Sequence, residues 1–336
     1  MTPTERSELV QSVVESILLD GTRRYSRTEV AERSGTTTLL TQRLWTALGF
    51  PSSASDSAVD YTEADIAAVS NFQQLSVPST ADQRTQAATA RTLGQEMARL
   101  AEWQIDLVLT EITKRIAEAD PAADQNETVR AAAEGTITTL EQLNAYAWRR
   151  HLAEALSRSL DPGTTAGDSV RELAVGFADM VGYTRLTRHL HPDELSTLLD
   201  AFESTTAAAI AENGGWVIKT VGDEVMFAAE NIADAAHIAL AIQESTMMVG
   251  GTPELRVAIA YGPVLQRFGD LYGSVVNTAS RLTGVARPGT VLIDDQAATA
   301  LENDPEFSIK HLRSVRVRGF NRLRPHLLRR CSKNER

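Results

Sequence analysis

The sequence predicts an α+β protein in two parts, an all-α N-terminal region followed by a ferredoxin-like βαββαβ domain extended at its end. Three observations carry this prediction. Apolar residues up to about position 160 recur at helical spacing; the run DPGTTAGDS then offers almost nothing to bury; and beyond it short apolar runs alternate with amphipathic helices.

Within the first part, Ser26-Arg27-Thr28-Glu29 is a capping signal ahead of a short helix. Gly35 then turns the chain into TTLLTQRLWTALGF, which reads as a helix-turn-helix. The Ala-, Leu-, Gln- and Glu-rich stretch from Thr80 to Ala119 predicts a long helix, on which Leu100, Trp103, Leu107 and Ile112 suggest an apolar stripe for a second copy. A last helix ends in WRRHLAEALSRSL. The expected domains are a helical region over 1–147, a linker helix and loop over 148–170, and a second domain over 171–330. Strands are not expected in the first part.

The second part changes period. ELAVGFA reads as a strand, and PDELSTLLDAFESTTAAAIAEN as a helix with Leu195, Leu198, Leu199, Phe202 and Ile210 on one stripe. WVIKT and EVMFAA flank Val221-Gly222-Asp223 and predict a hairpin. A helix (ADAAHIALAIQESTMM), a strand (ELRVAIAYGPV), a third helix (SVVNTASRLTGVA), a strand (TVLID) and two short strands around Arg318-Gly319 follow. The helices are expected on one face of the sheet.

Composition narrows the class. Of 336 residues, 43% are apolar and 23% charged, which excludes bulk disorder. The single cysteine, Cys331, excludes an internal disulfide or a multi-cysteine metal site. The first residues are acidic without an apolar h-region, and no run approaches the roughly 18 apolar residues of a membrane span, so a soluble cytoplasmic protein without a transmembrane segment is expected. Net charge is -11, with 24 acidic and 15 basic residues before position 171. That field repels nucleic acid, and the candidate recognition helix brings one base, Arg43; no nucleic-acid partner is expected.

Several residues could carry chemistry. Asp179 ends the first strand and Asp223 sits in the hairpin; neighbouring strands could bring both carboxylates to a hard cation, Mg2+ or Mn2+, beside a phosphate. Backbone amides of Met180, Val181 and Gly182 lead into the next helix, where they could meet phosphate oxygens. Asn277 and Arg281, spaced i and i+4, are expected as polar heads on a largely buried helix that would need a partner such as an anion. Lys219 and Asp270 could read the donor and acceptor edge of a purine.

FADMVGYTRL (177–186), WVIKTVGDEVMF (216–227) and GDLYGSVVNTASRLTGVARPG (269–289), in this order, resemble the catalytic domain of class III nucleotidyl cyclases, specifically adenylate cyclases. The string GDEV alone could suggest the GGDEF signature of diguanylate cyclases, but Val221 and Val225 replace its first Gly and its Phe. The resemblance implies that Asp179 and Asp223 hold two Mg2+ or Mn2+ ions, that Lys219 and Asp270 contact adenine, that Asn277 orients the ribose, and that Arg281 stabilises charge at phosphorus. It implies a triphosphate-gripping base on the last strands, Arg318 with Arg316 as competitor, ATP as substrate, and a homodimer sharing its sites. The helical part is similar to the regulatory domain of actinobacterial pH-sensing adenylate cyclases, which implies autoinhibition and a possible fatty acid in an apolar cavity. Of six histidines only His151 precedes the second domain; beside Arg149 and Arg150 it is the expected regulatory titrating group. Competing readings are a guanylate cyclase, a nucleotide-binding sensor with a degenerate site, and a DNA-binding regulator.

Overall fold

Contacts in the computed structural model, which describes residues 2–51, 53–74, 83–120, 122–159, 170–248, 253–317 and 320–331, separate the chain into the units Met1–Leu160 and Asp161–Arg336. The division falls inside the segment expected as a linker.

Capping chemistry starts the N-terminal helices. Thr2 and Glu5 form a capping box for α1 (Pro3–Leu18). After the short strand β1 (Tyr25–Ser26), Ser26 and Glu29 do the same for α2 (Arg27–Ser34), which ends on Gly35 in the left-handed conformation at φ 70°. Thr37 caps α3 (Thr38–Ala47), so α2 and α3 are the expected helix-turn-helix. The strand β2 (Val59–Tyr61) pairs antiparallel with β1. This ribbon was not anticipated, and the unit is therefore not all-α; strands of two and three residues are too short to show alternation. Helices α4 (Glu63–Gln74), α5 (Gln83–Glu118) and α6 (Gln125–Ser159) complete it. Helix α6 passes through 147/148 without a break, so the expected linker helix is the end of one 35-residue helix.

One core joins Val30, Leu44, Tyr61, Ile66 and Val69; another joins Val13 and Val14 of α1 to Val108 and Ile112 of α5 and Val129 and Ile137 of α6. The α5 stripe is split. Ile112 is buried, whereas Trp103 and Leu107 are exposed. At 3.6 residues per turn, Trp103 lies about 180° around the helix from Ile112.

The C-terminal unit begins with β3 (Val170–Met180), a short helix α7 (Tyr183–Leu186) and α8 (Pro192–Glu212). The hairpin β4 (Trp216–Val221) and β5 (Glu224–Ala229) precedes α9 (Ile232–Met248), β6 (Leu255–Arg267) and β7 (Asp270–Tyr272). Then come α10 (Ser274–Val285), β8 (Thr290–Ile293), α11 (Asp295–Leu301), β9 (Phe307–His311), β10 (Val315–Val317), β11 (Phe320–Leu323) and β12 (His326–Arg330). The main sheet runs β4-β5-β3-β6-β8-β12-β9, with β7 added on β6. Its antiparallel part β6-β3-β5-β4 is the ferredoxin-like order, and parallel pairing of β8 with β6 begins the extension.

Side chains of β3 alternate between two cores. Ala174 and Ala178 face Phe202, Ile210, Ile238 and Ile242 of α8 and α9; Leu173, Val175 and Phe177 join Val275 and Ala279 of α10. Helices thus cover both faces rather than the expected one. The unbroken apolar run LAVGFA is what a strand buried on both sides requires. The β10–β11 pair rests Val315, Val317 and Leu323 on Leu282 and Ala286 beside α10.

Asp294 caps α11, accepting from the Ala297 amide at 2.9 Å and the Tyr261 amide at 3.3 Å. Burial pushes its carboxyl up to about 6 against those two bonds. The folded chain therefore holds a proton that the unfolded chain releases, and stability falls as pH rises from about 4 to about 6. Asp294→Asn keeps the cap without the charge, so denaturation at the two ends of that window should show the variant gaining on the parent as pH rises. An unchanged difference would contradict the assignment.

Candidate functional site

The register of β3 brings charged residues together at one end of the sheet. Asp179 lies opposite Glu224 on β5 and opposite Arg256 on β6, and the Arg256 guanidinium forms an ion pair with its carboxylate. Gly222, at φ 60°, makes the tight β4–β5 turn that carries Asp223, whose carboxyl is near enough to Asp179 to feel its charge. Burial raises the proton affinity of Asp223 and the charge of Asp179 raises it further, while Arg256 opposes both. Glu224 is raised first by burial, then by its two acidic neighbours.

Crowded carboxylates of this kind call for a cation. Two of them suit Mg2+ or Mn2+, which take one or two carboxylates and complete their shell with water and phosphate. Among the described residues no group of three His, Cys, Asp or Glu side chains offers a protein-only cage.

The amides behave differently from expectation at two of three positions. The Met180 amide donates to the Asp223 carbonyl at 3.1 Å and the Val181 amide to the Glu254 carbonyl at 2.9 Å, because backbone pairing continues past the end of β3. Neither is available to a phosphate. The Gly182 amide, at φ 76° ahead of α7, has no partner among the described residues.

Lys219 and Asp270 do meet, at 2.6 Å, and the Leu271 amide holds the other Asp270 oxygen at 2.8 Å. Two strands separate β4 from β6 in the sheet, so this contact requires the β6–β7 hairpin to fold back across it. Gly262, at φ 146°, lies in β6 before that hairpin, and a Cβ there would come within 2.4 Å of Gln296.

Asn277 and Arg281 share one side of α10, but both are exposed, with no side-chain hydrogen bond or ion pair among the described residues. The expectation of buried polar heads is corrected: α10 buries Val275, Ala279, Leu282 and Thr283 and leaves the opposite side open. Among the described residues no hydrogen bond or ion pair joins them to Asp179 or Asp223. Arg316 is exposed on β10, and Arg318 lies outside the described residues. In the N-terminal unit, the His151 side chain is 83% exposed, with Glu154 at 4.0 Å as its ion-pair neighbour.

Sequence reasoning missed Arg256. It interrupts the apolar run LRVAIA, but its meaning depends on the β3–β6 register that sets it against Asp179.

Comparison with known proteins agrees with this geometry. Residues 166–330 match the adenylate and guanylate cyclase catalytic domain. An adenylate cyclase of Streptomyces coelicolor is 39% identical over 288 residues, covering 86% of this chain and 74% of that protein. One from Glutamicibacter nicotianae is 34% identical over 350 residues, covering 97% of this chain and 84% of that protein. A pH-sensitive adenylate cyclase of Mycobacterium tuberculosis is 30% identical over 292 residues, covering 85% of this chain and 72% of that protein. These alignments extend beyond the catalytic domain into the helical half.

Proposed function

The chain belongs to the class III adenylate and guanylate cyclase family, and from that premise we propose that it converts ATP to 3′,5′-cyclic AMP and pyrophosphate in a homodimer whose sites are completed between two copies. The observation that carries this reading is the separation within one chain of two complementary sets. Asp179, Asp223 and Arg256 cluster at the end of β3, while Asn277 and Arg281 on α10 have no side-chain partner among the described residues.

In the proposed reaction the ribose 3′-oxygen attacks the α-phosphorus. The new O3′–P bond forms as the bond from phosphorus to the β-phosphate bridging oxygen breaks; pyrophosphate leaves with that electron pair and the hydroxyl proton passes to solvent. Asp179 and Asp223 would hold two divalent cations, which when bound supply charge neutralisation at the triphosphate and acidify the attacking hydroxyl. Arg256 stands beside those carboxylates and can exchange part of its ion pair for a phosphate oxygen. Arg281 of the other copy offers a guanidinium to charge growing at phosphorus, and Asn277 a hydrogen bond to the ribose. The Lys219–Asp270 pair presents a donor and an acceptor to the adenine edge.

Base choice supplies the first test. Lys219→Glu with Asp270→Lys should lower turnover of ATP by about 100-fold, the order expected when a donor and an acceptor to the base are both mismatched. Activity on GTP should fall less, so the ATP/GTP ratio in a cyclic nucleotide assay drops. An unchanged ratio would remove these residues from base recognition.

Regulation by the helical unit is the finer part of the proposal, supported by the likeness to the pH-sensitive relative. Histidine changes charge over about pH 5 to 8, and His151 is the one histidine of that unit. The full chain should make more cyclic AMP as pH falls through this range, and His151→Ala should flatten the rise. An unaltered profile in the variant would exclude His151 as the titrating group.

A further inference from the structure

A second cluster of titratable groups lies at the far edge of the catalytic sheet. His326, on β12, is buried; its Nε2 donates to Asp295 Oδ1 at 2.8 Å, and its Nδ1 meets Nδ1 of His311, on β9, at 2.6 Å. The two rings cross edge to face at 82°. They are register partners, and they close the neck of an excursion. From His311 the chain leaves the sheet, forms the β10–β11 pair and returns at His326, with the Leu312 amide donating to the Pro325 carbonyl at 3.1 Å as the next rung.

The proton count at this neck is constrained by chemistry. Because His326 Nε2 carries the hydrogen given to Asp295, its Nδ1 in the neutral ring is an acceptor, and His311 Nδ1 must donate. One added proton is tolerated: whichever ring takes it, a single hydrogen still lies between the two Nδ1 atoms. A second added proton puts hydrogens on both, and two imidazolium rings then face each other with no acceptor between them. The groups that face the pair are few. From α11 come Asp295 and, behind it, Asp294; β8 presents Ile293 opposite His326; and Lys310, next to His311, with Arg313 and Arg324, each two residues from a ring, are exposed. Asp295 supports the first added proton, and neither aspartate can replace the acceptor lost with the second.

We propose that His311 and His326 form a proton-operated clasp at the neck of the β10–β11 excursion, closed while the rings hold at most one added proton and opened by the second. Opening releases the Leu312–Pro325 rung, while Leu323, Val315 and Val317 keep the excursion seated beside Leu282 of α10. The clasp therefore loosens the segment that carries Arg316 without unfolding it, and sets an acid limit within the catalytic unit itself, separate from His151. The consequence for ATP rests on the cyclase reading; the clasp does not.

The test uses the full chain and reads hydrogen exchange of the Leu312 amide, corrected for intrinsic rate, from about pH 7.5 to about pH 4.5, across the range where histidine titrates. Protection should fall by about tenfold or more at the acid end in the parent and stay flat with pH in His311→Gln, a substitution at an exposed position. In parallel, the KM for ATP should rise in the parent with kcat little changed, and not in the variant. Constant protection in the parent, or the same loss in the variant, would overturn the clasp. A loss of protection with unchanged KM would overturn its link to the triphosphate. A chain that makes no cyclic AMP yet shows the exchange pattern would sink the cyclase reading and leave the clasp standing.

Discussion

Strand β3 is paired along its length with β6 and along its C-terminal half with β5, and this double pairing fixes where Asp179 stands relative to Arg256, Glu224 and the Asp223 turn. A slip of one residue would turn Asp179 to the opposite face of the sheet and exchange the two cores beneath it. Burial opposes the slip. Leu173, Ala174, Val175 and Ala178 are fully buried, and Gly176 leaves room for the Phe227 ring, which a Cβ would approach to 2.1 Å. The carboxylate pair is thus positioned by apolar packing several residues away, and its mutual repulsion is tolerated because the register cannot relax.

The same face of the sheet carries α10, because Asp179 shares its side of β3 with Leu173, Val175 and Phe177, which pack against that helix. Helix α10 is seated by Val275, Ala279 and Leu282 and leaves Asn277 and Arg281 exposed. In the proposed dimer that exposed side of α10 would meet the acidic cluster at the end of β3 of the other copy. The helical unit also exposes apolar residues, including Trp103 and Leu107 of α5 and Tyr146, Trp148 and Leu152 of α6.

Much of the fold was legible because it rests on local signals. The capping box at Ser26 and Glu29, the hairpin around Gly222, and the alternation of apolar runs with amphipathic helices are all readable within windows of a dozen residues. Asp179 and Asp223 are legible because each lies where a strand gives way to a turn, and Lys219 because it interrupts an apolar strand. What stayed hidden depends on pairing between distant segments. The role of Arg256 appears only when β6 is laid against β3, and the engagement of the Met180 and Val181 amides only when the turn and the Glu254 carbonyl are in place. The face covered by α10 was misjudged because an amphipathic helix does not announce which side of a sheet it will cover. The His311–His326 contact joins residues 15 positions apart on antiparallel neighbours, which neither periodicity nor composition reveals.

Completion of each site by two copies is tested most directly by mixing Asp179→Ala and Arg281→Ala chains, each expected to be inactive alone, and measuring cyclic AMP formed from ATP. Mixed dimers retain one intact site out of two, so activity should reappear on mixing and follow the fraction of mixed dimer. Silence in a mixture shown to contain mixed dimers would contradict shared sites and return the chemistry to a single chain.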